Sequence, residues 1–344
     1  MSETRHFITT QDWPVASLES LLTAASALKA RRWEPSLKGR SIALVFFNPS
    51  LRTRTSFEIG AWQMGMHAVV LQPGQGAWPI EFQDNVIMDG DAEEHVAEAA
   101  RVLSRYVDLI AVRAFPKFKD WSVDRQDSVI RQFARYATVP IINLETITHP
   151  CQELAHILAL RERLGGLRKK KYVLTWTWHP KPLNTAVANS AAMIATRFGM
   201  DVTLLCPNEH YLLDERYMQA ARDNAKESAG SFTISHNIEH AYRDAEIIYA
   251  KSWGSLPFYG RWDQEQPPRE NHKHFIVDEA KMALTNNAVF SHCLPARRNV
   301  KVTDGVIDSP QSLVIEEAEN RLHVQKAIMC ELLGETHNDA EGGR

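Results

Sequence analysis

Phe46-Phe47-Asn48-Pro49-Ser50-Leu51-Arg52-Thr53-Arg54-Thr55-Ser56-Phe57-Glu58 is the stretch on which the reading of this chain turns. Leading into it, Ser41 to Phe47 is a continuous, essentially apolar run of strand length, the pattern of a parallel strand covered on both faces. Asn48-Pro49-Ser50 breaks that run. From Thr53 to Met66, the positions Phe57, Ala61, Met64 and Gly65 recur at near-helical spacing, which predicts a helix from about Leu51. The backbone N–H groups of Ser50 to Thr53 then have no intrahelical acceptor. Arg52, Arg54, Ser50, Thr53 and Thr55 share the same turn. Orphan donors at the positive end of a helix, beside a forked guanidinium, suit a phosphate. Two arginines in a first turn oppose the helix dipole unless an anion sits there, which weighs against a merely solvated helix start.

Outward from this turn the pattern is repeated αβ. Asp12 to Ala30 reads as a helix with Leu18, Leu21, Leu22 and Ala25 on one face, and His67 to Leu71 as a second strand. Gln72 to Ile80 is a Gly/Pro-rich loop carrying Trp78. Glu93 to Tyr106 is predicted helical, with Glu93 opening it, followed by a strand from Asp108 to Val112 that ends at Arg113. A helix from Arg125 to Tyr136 and a strand from Val139 to Leu144 complete a first half. After a helix from about Pro150 to Leu164 and a basic surface turn at Arg168 to Lys171, five more strands are predicted: Tyr172 to Thr177, Asp201 to Cys206, Ser231 to Ser235, Glu246 to Lys251 and Val289 to Cys293. Helices fall at Asn184 to Phe198, Asp214 to Ser228 and Glu317 to Leu333, and Ser252 to His274 reads as a long polar loop. Alternation of this kind predicts an α/β protein with two parallel-sheet domains, residues 1–150 and 151–317.

Composition excludes several classes. A chain of 344 residues can bury two ordinary cores, and 44% hydrophobic with 24% charged residues is the make-up of a globular protein. The formal net charge of −3 gives no reason to expect nucleic acid or a membrane as partner. No run of 18 apolar residues occurs, and the N-terminal stretch lacks an apolar signal core, so a cytoplasmic protein is expected. Cys151, Cys206, Cys293 and Cys330 show no paired spacing and read as reduced thiols.

Ser50-Leu51-Arg52-Thr53-Arg54 resembles the Ser-Thr-Arg-Thr-Arg phosphate loop of the transcarbamylases, the family that moves a carbamoyl group from carbamoyl phosphate to an amine. Leu51 departs from the usual Thr at a position where the contact is mostly backbone N–H. His149-Pro150-Cys151-Gln152 is similar to the family's His-Pro-x-Gln element, and His292-Cys293-Leu294-Pro295 to its His-Cys-Leu-Pro element. Glu319 to His323, followed by Lys326-Ala327, resembles its C-terminal helix, which there returns to the first domain; this assigns about 318–344 to that domain. Four elements in family order imply the family's two-domain fold with the active site in the interdomain cleft, and a homotrimer with sites shared between subunits.

The resemblance implies roles residue by residue. Thr53, Arg113 and His149 would polarise the carbonyl oxygen, the last two being strand-exit residues. Ser50, Leu51, Arg52, Trp78, Gln152, Cys293, Leu294 and Arg321 would join them in holding carbamoyl phosphate, Trp78 from an adjacent subunit. No cofactor is implied. Metal binding at His149/Cys151 or His292/Cys293 lacks further ligands at zinc spacing. Cys293 as a nucleophile is unnecessary, because the departing phosphate can take the amine's proton; a pocket-lining role is preferred.

In Ala250-Lys251-Ser252-Trp253-Gly254-Ser255-Leu256-Pro257 the Ser-Met-Gly loop of the ornithine enzymes is altered, and no carboxylate for a free α-ammonium is evident. The chain is similar instead to the branch that carbamoylates N-acetylornithine, with succinylornithine and ornithine as alternative amines. By that resemblance Glu145, Asn184, Lys251, Leu294 and Arg297 line the amine pocket, and Glu93 separates acetyl from succinyl substrates. Lys301 matches a carboxylated lysine, although its sequence surroundings alone read as surface, with Arg297 and Arg298 expected to favour the added charge. A non-catalytic homologue would have lost a polarising residue, and Arg52, Thr53, Arg113, His149 and Gln152 are all present.

Overall fold

The computed structural model describes residues 5–32 and 34–335. In chain order the elements are α1 (Val15–Lys29), β1 (Ser41–Phe46), α2 (Arg52–Gln63), β2 (His67–Leu71), β3 (Ile80–Glu81), β4 (Glu94–His95), α3 (Val96–Tyr106), β5 (Leu109–Arg113), α4 (Trp121–Asp124), α5 (Ser128–Tyr136) and β6 (Ile141–Glu145). They continue with α6 (Pro150–Leu164), β7 (Lys171–Trp176), α7 (Ala186–Arg197), β8 (Asp201–Leu205), α8 (Glu215–Ser228), β9 (Ser231–Ser235), α9 (Ile238–Tyr242) and β10 (Ile247–Lys251). The last are α10 (Trp262–Glu270), α11 (Glu279–Met282), β11 (Val289–Ser291), α12 (Asp304–Ile307) and α13 (Val314–Leu332). The chain forms two compact units: residues 1–115, 126–154 and 320–344, and residues 116–125 with 155–319. The sequence reading divides the chain at 150/151 and 317/318; the observed divisions fall inside α6 and α13, and residues 116–125 group with the second unit. Residues 336–344 of the expected C-terminal segment lie outside the described residues.

The first unit has a parallel sheet in the order β2-β1-β5-β6. Ala43, Val45, Ile110, Val112 and Ile141 pack with Val96 and Ala100 of α3 and Ile130 and Phe133 of α5. The alternate positions Ile42 and Leu44 are buried as well, which is why these strands read as unbroken apolar runs. Phe57 of α2 is fully buried and contributes about 1.5–3 kcal/mol. The C-terminal part of α13 lies on α2: a Cβ at Gly60 would stand 3.2 Å from Lys326 Cγ and 3.3 Å from Leu322 Cδ1, so glycine permits the close approach.

The second unit's parallel sheet has the order β11-β10-β7-β8-β9. The strand order of each sheet reverses once, between β1 and β5 in the first unit and between β7 and β10 in the second, all strands remaining parallel. At such a reversal the loops leaving the carboxyl ends of the two strands diverge and open a crevice for ligands. Phe46 pairs with Arg113 at the first reversal, and Trp176 with Lys251 at the second.

Three sequence expectations change. Arg125 to Tyr136 is not one helix: Asp127 adopts a left-handed φ of 53° and separates α4 from α5. Glu93 does not open a helix. Glu94 and His95 pair with β3, and the His95 ring accepts from the Ala97 N–H, so α3 begins at Val96. The 252–274 segment holds a 3₁₀ turn (Leu256–Phe258) and α10, which is hard to read because Pro267 and Pro268 lie inside it.

Candidate functional site

In the first unit, the Thr53 N–H donates to Ser50 Oγ (3.1 Å), so Ser50 caps α2 and fixes the turn. Leu51 is exposed at the turn's tip and Arg52 is half-buried. Arg54 turns away and pairs with Glu58 one turn on, at 3.1 Å. The turn is tied to the exit of β5: the Phe47 N–H donates to the Arg113 carbonyl (2.9 Å) and the Phe115 N–H to Asn48 Oδ1 (2.6 Å).

Arg113 Nη1 bonds Glu145 Oε2 at 2.6 Å, and His149 Nε2 stands 3.6 Å from the same oxygen. Gln152 and Glu153 donate their N–H groups to the His149 carbonyl (3.0 and 3.1 Å), which starts α6 and aligns Gln152 one turn beyond His149. Arg321, only 3% exposed, donates to the Thr53 hydroxyl, although 268 residues separate the two. Burial pushes the Arg321 guanidinium down from its ordinary value; Cys151 and Glu145 oppose this, while Arg113 and Arg52 repel it. Arg113 and Arg321 thus share the Glu145 carboxylate, and Arg321 also feels Arg52 at the N-terminus of α2, an arrangement complementary to a phosphate. Burial pushes Cys151 up to about 12, which keeps it a thiol. Among the described residues no group of three His, Cys, Asp or Glu side chains could hold a metal ion.

Trp78 is 66% exposed on the loop between β2 and β3. It lines an open concavity with Met88, Glu93, Glu94, His95 and Glu98, which shares no residue with the phosphate turn. Trp78 and Glu93 therefore come together on one surface of the first unit.

In the second unit, Lys251 ends β10 buried to 9% exposure, and its carbonyl accepts from the Thr177 N–H (2.9 Å). Lys301, read from sequence as a surface residue, is 2% exposed. Burial lowers it to about 7, reinforced by the charges of Lys251 and Arg297 and opposed by Cys293. Arg298 does not take part, because it is bound to Asp304 and Asp308. His179, which sequence reasoning missed, is lowered to about 4 by burial, with Lys301, Arg297 and Lys251 adding repulsion. Its sequence signal was a His-Pro-Lys-Pro stretch at the exit of β7. Lys251 and Arg297 supply positive charge beside Lys301 and the uncharged His179 imidazole, surroundings suited to a carboxylate. Asn184 Oδ1 accepts from the Ala186 N–H (3.1 Å) and caps α7. His292 Nδ1 accepts from the Leu294 N–H (2.8 Å), which braces the half-buried Cys293-Leu294 turn.

The sequence matches two family models. Residues 5–162 match the aspartate/ornithine carbamoyltransferase carbamoyl-P binding domain, and residues 174–332 the Asp/Orn binding domain. The chain is 67% identical to an N-acetylornithine carbamoyltransferase of Xanthomonas campestris pv. campestris, over 96% of this chain and 98% of that protein. It is 37% identical to an N-succinylornithine carbamoyltransferase of Bacteroides thetaiotaomicron, over 92% of this chain and 95% of that protein. Among solved structures it resembles an acetylornithine transcarbamylase complexed with acetylcitrulline, with a TM-score of 0.94 and 66% identity, over 97% of this chain and 100% of that chain. It resembles equally, at a TM-score of 0.94 and 67% identity over 95% of this chain and 99% of that chain, an N-acetyl-L-ornithine transcarbamylase with a glutamate-to-alanine substitution, complexed with carbamyl phosphate and N-succinyl-L-norvaline. By sequence and by its two-unit parallel α/β architecture, this chain belongs to the aspartate/ornithine carbamoyltransferase family.

Proposed function

We propose that this protein transfers the carbamoyl group of carbamoyl phosphate to the δ-amine of N2-acetyl-L-ornithine, giving N-acetyl-L-citrulline and phosphate, a reaction of arginine biosynthesis. The carrying observation is the division of charge: a phosphate-type turn with Arg52, Arg113 and Arg321 in one unit, and the positive charge of Lys251 and Arg297, suited to a free α-carboxylate, in the other. The high identity to relatives named for acetylornithine supports the choice of amine.

In this reading the capped turn Ser50 to Thr53, with Gln152 and Arg321, holds carbamoyl phosphate, the Cys293 and Leu294 carbonyls binding its amide. Thr53, Arg113 and His149 draw negative charge onto the carbonyl oxygen as the neutral δ-amine attacks the carbonyl carbon. The carbon–oxygen bond to phosphate breaks, and the departing phosphate takes the amine's proton. Glu145 orients Arg113 and His149. Lys251, Arg297, Asn184 and Leu294 bind the acetylated amino acid, whose neutral amide needs no carboxylate partner.

The active species is a homotrimer in the cytoplasm. Trp78 and Glu93 serve a neighbouring subunit's site, a role suited to their shared, exposed surface; Glu93 disfavours the longer, anionic succinyl group. Lys301 carries a carbamate, a charge that its buried basic surroundings favour. The four thiols, none of them in a disulfide, suit a reducing compartment. Among the described residues no helix is long and apolar enough to cross a membrane.

A colorimetric citrulline-type assay with acetylornithine, succinylornithine and ornithine side by side tests the assignment. Acetylornithine is the expected best substrate by kcat/KM; a preference for either alternative overturns the choice of amine, and inactivity on all three overturns the reaction.

A further inference from the structure

Glu265 and Arg269 lie one turn apart on α10, 0% and 1% exposed, and form an ion pair. Burial pushes the Glu265 carboxyl up, and the Arg269 charge works against that shift. Two buried charges are costly unless their remaining donors and acceptors are used. Here Glu265 Oε1 and both Arg269 Nη atoms are used on backbone, while Glu265 Oε2 and Arg269 Nε have no hydrogen-bond partner among the described residues. The Ser255 N–H donates to Glu265 Oε1 at 2.8 Å. Arg269 Nη1 donates to the His179 carbonyl (3.3 Å) and Nη2 to the Trp253 carbonyl (3.4 Å), which also accepts from Trp176 Nε1 (3.0 Å). The guanidinium sits 5.8 and 5.7 Å from the ring centroids of Trp176 and Tyr211, within cation–π range.

These contacts fall on both sides of the second unit's sheet reversal. His179 follows β7, while Trp253 and Ser255 follow β10. The two exit segments also bond each other, Gly254 N–H to the Leu183 carbonyl at 3.0 Å. They are packed closely: a Cβ at Gly254 would stand 2.9 Å from Pro182 Cβ and 2.9 Å from the Trp262 ring. Strand-exit carbonyls buried away from water need donors, and a single guanidinium supplies two in fixed relative geometry.

We infer that the Glu265–Arg269 pair is a positioning device for amine-substrate recognition, setting the backbone of the segments that present Lys251 on one side and Asn184 on the other. The inference rests on the reading of the second unit as the amine-binding half. The pair acts through the backbone rather than by touching substrate. A pair that only stabilised the fold would lower the melting temperature and leave the Michaelis constants unchanged.

The test compares the full-length wild type with Glu265→Gln, Arg269→Lys and the charge-free double variant Glu265→Met/Arg269→Met. Amine kinetics are read at saturating carbamoyl phosphate, carbamoyl phosphate affinity by calorimetry, and folding by thermal melting. Arg269→Lys and the double variant are expected to raise KM for acetylornithine about tenfold or more, because small misplacements of binding groups are costly. Carbamoyl phosphate affinity is expected to stay within about twofold. Glu265→Gln keeps an acceptor for Ser255 and is expected to have a smaller effect. An amine KM within about twofold of wild type, with a lowered melting temperature, overturns the inference. So does a parallel loss of carbamoyl phosphate binding, which would mean general damage. If the double variant does not fold, Arg269→Lys decides. The wild-type arm isolates the underlying reading: if ornithine or succinylornithine is the better amine, the choice of amine fails and the KM comparison is made on the better one. If no amine is carbamoylated, both the reading and the inference fall.

Discussion

Arg113 Nη1 stands 2.6 Å from Glu145 Oε2 where two adjacent strands end, and His149 Nε2 is 3.6 Å from the same oxygen. One carboxylate thus orients both basic side chains proposed to face the carbamoyl oxygen. Glu145→Ala leaves a nearly buried guanidinium without that partner, a loss of about 3–5 kcal/mol in stability. Denaturant unfolding should register it. Steady-state rates should fall about 10²-fold through misorientation. Glu145→Gln keeps an acceptor and should be intermediate; an Ala variant with wild-type kcat/KM would show that the pair has no part in catalysis.

The two arginines of the phosphate turn should separate cleanly. Arg52→Ala removes a charge-assisted contact worth about 1.5–3 kcal/mol, so calorimetric affinity for carbamoyl phosphate should drop by about tenfold to a hundredfold. Arg54 is engaged with Glu58 in an exposed helical pair worth about 0.3–0.5 kcal/mol, so Arg54→Ala should cost little. Equal losses for the two variants would contradict the assignment of Arg52 as the phosphate ligand.

The proposed sharing of the site across subunits makes a complementation prediction. Trp78→Ala and Arg52→Ala should each be nearly inactive alone. Refolded together, they should regain activity, because some interfaces then pair two intact halves. Mixed oligomers, verified by a size or charge tag, that stay inactive would argue for a site complete within one chain.

Lys301 makes stability depend on pH. Its folded value is about 7 against an ordinary 10.5, so between these the unfolded chain binds more protons. Stability therefore rises with pH across that window, and the cost of the buried charge is fully present below it. In CO₂-free buffer Lys301→Met should melt higher than wild type at pH 6, with the advantage shrinking towards pH 10.5. Only the neutral amine adds CO₂, so bicarbonate should restore activity to the stripped wild type more strongly above pH 7 than below it. A bicarbonate response absent at every pH would exclude the carbamate.

Glu93 is exposed, on the same surface as Trp78. Succinyl ends in a carboxylate and would meet it as a like charge, a juxtaposition that can cost several kcal/mol. Replacing Glu93 by Ala, Ser or Pro should raise kcat/KM for succinylornithine and lower it for acetylornithine, with carbamoyl phosphate affinity nearly unchanged. A ratio of the two that stays within about twofold of the parent, well under a tenfold change of about 1.4 kcal/mol, would mean that Glu93 is not the selector.

The sequence by itself determined the capped turn at Ser50 to Thr53 and the αβ alternation, because their signals are local. An apolar strand, a Pro break, a Ser cap and the first helical turn all lie within Ser41 to Phe57, and the helical and strand periods are read within a few residues. Only the tertiary structure decided the state of Lys301. A lysine four residues past Arg297 looks solvated, yet it is buried beside Lys251, 50 residues earlier in the chain, while Arg298 is drawn off to Asp304 and Asp308. The same holds for α10: its two prolines argue against a helix locally, and the buried Glu265–Arg269 pair acquires its partners from His179, Trp253 and Ser255. Arg321 meets Thr53 across 268 residues. Periodicity and caps are short-range and survive in the sequence, whereas burial and charge environment are sums over neighbours that only the folded chain brings together.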